Sequence, residues 1–351
     1  MVSLGDLDPP DDNLLLIALG PGLGESVLVG WPPDGWLVVD SFQRSARNGV
    51  AHPALEVLEQ FDAFADVVVL THPHIDHTGG LAALIDRRKS DGLVGWWPDT
   101  TVTERWDTNN GSLSVRRGSA EHAIAAIGRA WREAPQSRWE LSDEAAPLVR
   151  AEATITALTP LQTSLDHAAK RKSPDMNELS TAILLEWRET KLLLGGDLVN
   201  RRGWEGLEAV HGVEAFAATD GFKVAHHGST EAQHPVALGG PPPTDRVLLG
   251  TPYNRGAKVP SYRPDGDVQK LLKVAKRLLI SAHHGDRPLT AGTQDTSVSA
   301  LAPRELQLPA ISIEVDSTSQ PVHDCWVAAR WASDGTLIET YRGPGSLSVV
   351  P

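Results

Sequence analysis

Three histidines and one aspartate lie within six residues of the stretch THPHIDHTGG, at positions His72, His74, Asp76 and His77. Imidazole and carboxylate groups at this density suit a borderline metal ion such as zinc. His72 and His74 are two residues apart, so in extended backbone their side chains point the same way. Asp76 and His77 follow a turn and can reach a second point nearby. The stretch therefore predicts two neighbouring metal sites, against the alternative of a polar surface loop.

The elements around this stretch place it at the end of a strand. Residues 66–70 form an apolar β-type run before the histidines, and Gly79-Gly80 lead into a helical pattern. Strands and helices alternate along the chain, which indicates a layered α/β architecture. Strands are predicted at 14–19, 25–30, 36–40, 66–70, 94–97, 151–158, 177–187, 191–194, 222–225, 246–250, 277–280, 310–315, 325–332 and 336–341. Helices are predicted at 53–65, 80–88, 120–132 and 204–217.

Other chemically active side chains also follow predicted strands. Asp197 comes after Gly195-Gly196, and a carboxylate on such a corner can approach a metal without side-chain crowding. His226 and His227 end the strand 222–225 and precede a glycine. Asp40 ends the strand 36–40, where a plain turn or cap residue is the alternative. These positions extend the predicted site to four strand ends.

The motifs together resemble a known family. THPHIDHTGG resembles the signature of the metallo-β-lactamase-fold hydrolases, and N-x-x-S, GGDL and KVAHHGS resemble the branch that contains the soluble hydrolase domain of ComEC/Rec2 DNA-uptake proteins. The resemblance implies an α/β fold, a four-layer αββα sandwich, formed by residues 1–351 as one domain. It also implies that Asp197 bridges two metals, that His226 or His227 is the last ligand, and that Asp40 supports the histidines.

One position departs from the wider family pattern. Many members have a third histidine about twenty residues before the bridging aspartate, whereas this chain has Asn177, as the ComEC-like branch does. An amide oxygen is a much weaker zinc ligand than imidazole. We therefore expect the His72/His74 site to bind its metal more weakly than the Asp76/His77 site. A second pair, His283-His284, follows another predicted strand and is interpreted as loop or surface.

Composition and charge limit which partners and which cellular location the sequence predicts. The chain has 351 residues, 41% of them hydrophobic, and a net charge of −13, which disfavours a surface that coats nucleic acid. Its single cysteine allows no internal disulfide. No apolar run approaches the roughly 20 residues of a membrane span, and residues 1–13 lack signal-peptide features. We expect a cytoplasmic protein without membrane contact, and its oligomeric state stays open.

The residues and the resemblance together predict a metal-dependent hydrolase. One or two Zn²⁺ ions, with Mn²⁺ as an alternative, would give a metal-bound hydroxide near neutral pH. We expect Asp76, Asp197, His226 and His227 to take part in catalysis. The resemblance favours a phosphodiester in a phosphorylated small molecule or a nucleic acid. The alternatives are hydrolysis of a carboxylic ester, lactone, lactam or thioester, and a non-catalytic metal-binding interaction or sensor module.

Overall fold

The computed structural model describes most of the chain. The described residues are 6–20, 24–46, 49–97, 120–171, 174–238, 244–253, 259–261, 265–282, 312–315, 325–343 and 346–350. The sequence predictions for His283, His284 and residues 310 and 311 fall outside them. Within these ranges no helix is both long and apolar enough to cross a membrane.

Strands and helices alternate along the chain, as the sequence predicts. The strands are β1 Leu14–Leu19, β2 Ser26–Trp31, β3 Gly35–Val39, β4 Arg44–Ala46, β5 Gly49–Ala51, β6 Ala65–Val69, β7 Arg88–Trp96, β8 Arg138–Glu140, β9 Leu148–Arg150, β10 Ala153–Ala157, β11 Ile183–Trp187, β12 Thr190–Leu194, β13 Gly221–Lys223, β14 Thr244–Gly250, β15 Ala275–Ile280, β16 Ser312–Val315, β17 Trp326–Trp331, β18 Leu337–Arg342 and β19 Leu347–Val350. The helices are α1 Pro53–Gln60, α2 Ile75–Thr78, α3 Leu81–Asp86, α4 Ala120–Glu133, α5 Gln162–Ala168, α6 Glu205–His211, α7 Pro235–Leu238 and α8 Asp267–Leu272.

Two large mixed sheets organise these elements. The first has the strand order β18-β17-β1-β2-β3-β6-β7-β8, and the second has the order β16-β19-β15-β14-β13-β12-β11-β10-β9. In the first sheet the neighbours β3, β6, β7 and β8 run parallel. In the second, β12, β13, β14 and β15 run parallel. Parallel strands end at the same edge of a sheet, so the loops that follow β3, β6, β12 and β13 can meet.

Two apolar cores hold the layers together. The first core combines side chains of both sheets, such as Leu16 and Val38 with Ile155 and Leu185. Strands β1, β2 and β3 are buried along their whole length, which explains their nearly continuous apolar sequences. The second core lies where α6 and α8 cover the second sheet, and it includes Trp204 and Phe222. Two sheets packed face to face with flanking helices confirm the predicted fold class.

Several predicted elements have wrong bounds: the helix predicted at 53–65 ends at Gln60, and the strand predicted at 94–97 begins at Arg88. The strand predicted at 177–187 begins only at Ile183, because Asn177–Leu179 forms a 3₁₀ helix. The backbone N–H of Asn177 donates to Asp175 Oδ1 at 3.0 Å, a local turn that competes with strand pairing. The helix predicted at 204–217 is also shorter, because Gly212 has φ +77° and ends α6. The correction at Asn177 concerns the candidate site, because the Asn177 side chain lies 3.3 Å from His226.

Candidate metal centre

Loops from both sheets bring the predicted ligands together. The segment 71–78 follows β6 of the first sheet, whereas Asp197 and His227 follow β12 and β13 of the second. A backbone hydrogen bond joins the two sides, from the Thr181 N–H to the Thr71 carbonyl oxygen at 3.1 Å. The site therefore forms only when the two sheets are packed, which explains why widely separated sequence motifs contribute to it.

Six side chains form a compact group, here called the His/Asp cluster. Its members are His72, His74, Asp76, His77, Asp197 and His227. Among the described residues, ligand atoms of His72, His74 and Asp197 lie within 4.8 Å of one another, and so do those of Asp76, His77 and His227. We call these triplets the first site and the second site.

Asp197 connects the two sites. Its Oδ2 lies 3.7 Å from His72 Nε2 in the first site. The same oxygen lies 3.4 Å from His77 Nε2 and 3.6 Å from His227 Nε2 in the second site. The second site is closed by Asp76, whose Oδ2 is 3.7 Å from His77 Nε2 and 3.6 Å from His227 Nε2. With Asp197 counted in both, four side chains surround the second site and three surround the first.

Hydrogen bonds on the far side of each ring orient three of the histidines. His77 Nδ1 lies 2.8 Å from Asp40 Oδ2, and His227 Nδ1 lies 2.9 Å from the Thr251 carbonyl oxygen. Both partners can only accept, so each Nδ1 carries the proton. The Thr71 hydroxyl donates to Asp40 and therefore accepts from His72 Nδ1 at 3.0 Å. In all three rings Nε2 therefore faces the cluster, where it would be the nitrogen that binds a metal ion.

Asp40 is the support that the resemblance implies. Its carboxylate accepts the Thr71 N–H and the Thr71 hydroxyl, each at 2.7 Å, and the His77 Nδ1–H. The residue has φ +59°, a conformation that few residues other than glycine adopt. Burial raises the pKa of Asp40, while His77 and Thr71 oppose that effect. The carboxylate therefore fixes both the metal-binding loop and the His77 ring.

The Gly-Gly corner allows the close approach of Asp197. Gly196 has φ +51°, and a Cβ there would lie 2.7 Å from Ser180 Oγ and from the Thr181 carbonyl oxygen. The Asp197 N–H donates to Ser180 Oγ at 2.9 Å. A side chain at position 196 would collide with this arrangement, so the structure requires glycine there.

The buried carboxylates of the His/Asp cluster need positive charge nearby to balance them. Burial alone would raise the pKa of Asp197, but His227 and His77 hold it well below its usual value. Burial alone would lower the pKa of His227, but Asp197, Asp76 and Glu25 raise it to about 10. Without metal, protons on the imidazoles therefore balance the buried carboxylates, and a metal ion can replace them.

Unpaired buried atoms show that a metal fits. Among the residues that the structure describes, His77 Nε2 and Asp197 Oδ1 are buried and have no hydrogen-bond partner, which is costly for polar atoms unless something else satisfies them. Both atoms belong to the His/Asp cluster, and imidazole nitrogen with carboxylate oxygen is a donor set typical of zinc. Asp197 Oδ2 lies near imidazoles of both sites, so this carboxylate would contribute to holding an ion in each of them.

A family model matches the part of the chain that contains the histidine-rich stretch. Residues 19–95 match the family model "Metallo-beta-lactamase superfamily", a stretch that includes Asp40 and the ligands His72 to His77. The match covers 77 of the 351 residues, so this part of the chain is similar to that superfamily. The predicted ComEC/Rec2-type branch is a finer assignment that this match does not reach.

Individual relatives resemble short parts of the chain. The chain is 41% identical to hydroxyacylglutathione hydrolase of Serratia proteamaculans over 54 residues. This aligned stretch is 15% of this chain and 21% of that protein. Over 62 residues the chain is 37% identical to hydroxyacylglutathione hydrolase 2 of Vibrio vulnificus, which is 17% of this chain and 25% of the relative. The metallo-beta-lactamase fold protein YhfI from Bacillus subtilis superposes with a TM-score of 0.36 and 13% identity, covering 68% of this chain and 86% of YhfI.

The two adjacent histidines have different surroundings. His227 reaches the second site, whereas His226 points to Asn177, with 3.3 Å between His226 Nε2 and Asn177 Nδ2. His226 Nδ1 lies 3.1 Å from Ser229 Oγ. Both histidines have positive φ, 46° and 56°, so the backbone is strained where the chain separates the two rings. Sequence reasoning left the choice between them open, and the geometry favours His227 as the ligand.

Sequence reasoning missed three neighbours of His227. Its Nδ1 contacts the Thr251 carbonyl oxygen, and the Tyr253 ring stacks on it with 5.1 Å between centroids. Glu25, from the loop between β1 and β2, places its Oε2 3.3 Å from the same Nδ1. Glu25 lies 202 positions from His227 with no motif around it, so only the folded chain reveals the contact.

Proposed function

We propose that this protein is a metal-dependent hydrolase whose His/Asp cluster binds one or two zinc ions, with manganese as an alternative. The observation that carries the proposal is the grouping of six ligand-type side chains into two adjacent triplets, in which His77 Nε2 and Asp197 Oδ1 are buried without a hydrogen-bond partner among the described residues. A bound divalent metal acts as a Lewis acid and makes water acidic enough to attack near neutral pH. His72, His74 and Asp197 would hold one ion, and Asp76, His77, His227 and Asp197 the other.

Side chains at the cluster supply the remaining functions. Asp197 Oδ1 is free to accept a proton from the attacking water and so to orient it. Asp40 and the Thr251 carbonyl hold the His77 and His227 rings in place while charge develops. The cluster is largely dry, because His72 and His77 have no exposed surface. Electrostatic interactions are stronger in such an environment.

His226, Asn177 and Ser229 form a polar wall beside the first site. His226 lies close enough to influence the pKa of His72, and it is partly exposed, unlike His227. Its ring joins the Asn177 amide to the Ser229 hydroxyl. Hydrogen-bond donors at this position can bind an oxygen of the substrate and stabilise charge on it. We therefore place the scissile group between this wall and the His/Asp cluster.

A phosphodiester in a nucleotide or nucleic acid is the substrate that we favour. Support comes from the KVAHHGS and N-x-x-S motifs, which resemble the ComEC/Rec2-type hydrolase branch, and from the donors of the polar wall. A tetrahedral phosphate offers several oxygens to such donors. The net charge of −13 gives the surface as a whole no attraction for phosphates, so binding must depend on the site itself.

A thioester is the second candidate, because the two curated relatives are named hydroxyacylglutathione hydrolases. A panel of substrates separates the candidates. Protein loaded with Zn²⁺ or Mn²⁺ is assayed with bis-p-nitrophenyl phosphate, a glutathione thioester, a p-nitrophenyl ester and a lactam. We expect the highest kcat/KM with the phosphodiester. Preference for the thioester would replace the phosphodiester assignment, and no turnover by metal-loaded protein would favour a non-catalytic binding module.

A substitution in the polar wall tests the role of His226 with the same substrates. In His226→Ala we expect the retained metal to stay at the native level and kcat to fall about 10²-fold, because the His226 ring holds the Asn177 amide and the Ser229 hydroxyl in place as donors beside the first site. The matched control is His211→Ala, because His211 also pairs with a neighbour, Asp143 at 2.9 Å, but lies on α6 away from the His/Asp cluster. Equal activity in the two variants would exclude His226 from catalysis.

A further inference from the structure

Glu25 is a buried carboxylate with three partners in the second half of the chain. Only 1% of its surface is exposed. Lys223 Nζ donates to it at 2.9 Å, the Thr251 hydroxyl donates to Oε2, and His227 Nδ1 lies 3.3 Å from Oε2. All three partners lie on β13, or on loops that follow β13 and β14. The loop between β1 and β2 is thereby attached to the second sheet.

The backbone of the same residue holds the other side of the second site. The Glu25 N–H donates to the carbonyl oxygen of Asp76 at 3.0 Å. The preceding residue must be small, because a Cβ on Gly24 would lie 2.7 Å from that carbonyl oxygen. One residue therefore contacts two members of the second site, Asp76 through its backbone and His227 through its side chain.

Lys223 compensates the negative charge of the buried Glu25 carboxylate. The lysine is 1% exposed, and its ammonium group also donates to the Val224 carbonyl oxygen at 3.0 Å. A buried carboxylate next to a ligand needs a compensating charge, and Lys223 supplies it without entering the His/Asp cluster. The two side chains come from positions 198 residues apart, so the pair also joins the two halves of the sequence.

We propose that Glu25 is a positioning residue for the second metal site, held in place by Lys223. It fixes the His227 ring and the Asp76 loop relative to each other, so that both present their ligand atoms to one ion. The proposal rests on the metal-binding part of the proposed function and is independent of the substrate.

The test compares the charge-neutral double variant E25Q/K223M with the native protein. Both buried charges are removed together, so the variant keeps the native net charge and leaves neither partner unpaired. Metal-free protein is titrated with Co²⁺, whose visible absorption reports the ligand geometry, and the unfolding midpoint is measured in parallel. We expect the folded double variant to bind Co²⁺ at its tighter site about 10–100-fold more weakly and with an altered spectrum.

The matched control is D66N/K89M. Asp66 and Lys89 form an ion pair at 3.0 Å on the first sheet, and Asp66 also accepts the Trp36 N–H, with no contact to the His/Asp cluster. This variant should keep the native Co²⁺ affinity and spectrum. Native affinity and spectrum in folded E25Q/K223M would overturn the proposal and leave Glu25 a purely structural residue.

A milder variant keeps the test decisive if the double variant is unstable. Thr251→Val removes the hydroxyl that donates to Glu25 and keeps the carbonyl that binds His227 Nδ1. We expect a several-fold loss of Co²⁺ affinity with a native unfolding midpoint, and unchanged affinity would count against the proposal. Native protein that binds no Co²⁺ would contradict the proposed function itself, whereas normal native binding with unaffected variants would refute only the role of Glu25.

Discussion

At the scale of single residues, the effect of losing one candidate ligand depends on how many other side chains surround the same site. The second site is surrounded by Asp76, His77, His227 and the shared Asp197, and loses a quarter of its ligands with one substitution. We expect Asp76→Ala and His77→Ala each to lose most of the bound metal, measured by elemental analysis of purified protein.

Asp40→Asn is the comparison for these ligand variants. It keeps the size of the side chain but weakens the hold on His77 Nδ1 and on Thr71. The expected loss of metal affinity is about 10–100-fold, the usual effect of a residue behind a ligand, and so smaller than that of Asp76→Ala or His77→Ala. Full metal content in both alanine variants would show that the second site is misassigned.

Asn177 provides a second test at the residue scale. Its Oδ1 is buried without a hydrogen-bond partner, and its Nδ2 lies 3.3 Å from His226 Nε2. Asn177→His would place an imidazole beside the first site, which has only three ligand side chains. We predict that the metal retained after purification rises from closer to one equivalent toward two. If Asn177 serves only as a hydrogen-bond partner, the stoichiometry will not change and the variant will only be less stable.

At the scale of elements, the corner after β12 decides where Asp197 lies. In Gly196→Ala, the positive φ of 51° costs about 1–2 kcal/mol, and the new Cβ would contact Ser180 and Thr181. We expect lower stability in denaturant unfolding and reduced metal retention, because Asp197 must shift. Gly212→Ala is a control for backbone strain, since Gly212 has φ +77° and ψ 172° and a Cβ added there would meet no described residue within 4 Å. It should lose stability through its backbone conformation alone and keep its metal.

The elements also show what the sequence could predict. The strands before the site were predictable because buried parallel strands have continuous apolar sequences, and the ligands follow them directly, as His72 follows β6. The 3₁₀ helix at Asn177 could not be predicted, because a local hydrogen bond to Asp175 competes with the strand predicted from this residue onward. The different directions of the His226 and His227 side chains depend on two successive positive φ values. Histidine at these positions does not predict such values.

Contacts between distant residues were beyond sequence reasoning for a different reason. Glu25 and Lys223 pair across 198 positions, and Glu25 belongs to no motif, although Lys223 opens the KVAHHGS motif. The same holds for Thr251, whose carbonyl oxygen orients His227. The ligand types could be predicted because metal chemistry restricts them, whereas the residues behind them follow from the packing of the two sheets.

At the scale of the whole molecule, the His/Asp cluster joins the two sheets. His72 and His77 lie in the segment that follows β6 of the first sheet, and Asp197 and His227 follow β12 and β13 of the second. Metal binding should therefore stabilise the packing of the sheets, by about 2.7 kcal/mol for a site when free metal exceeds Kd 100-fold. We predict that a chelator lowers the thermal unfolding midpoint and that added Zn²⁺ restores it. His77→Ala should respond much less, and an equal response would place the stabilising metal elsewhere.

The most direct test of the two-site centre is a calorimetric titration of metal-free native protein with Zn²⁺. Four ligand side chains surround the second site and three the first, with Asp197 in both sets. We predict two binding events, a tight one at the second site followed by a weaker one at the first. Two equally tight events would contradict the predicted asymmetry, and the absence of binding would contradict the metal centre itself.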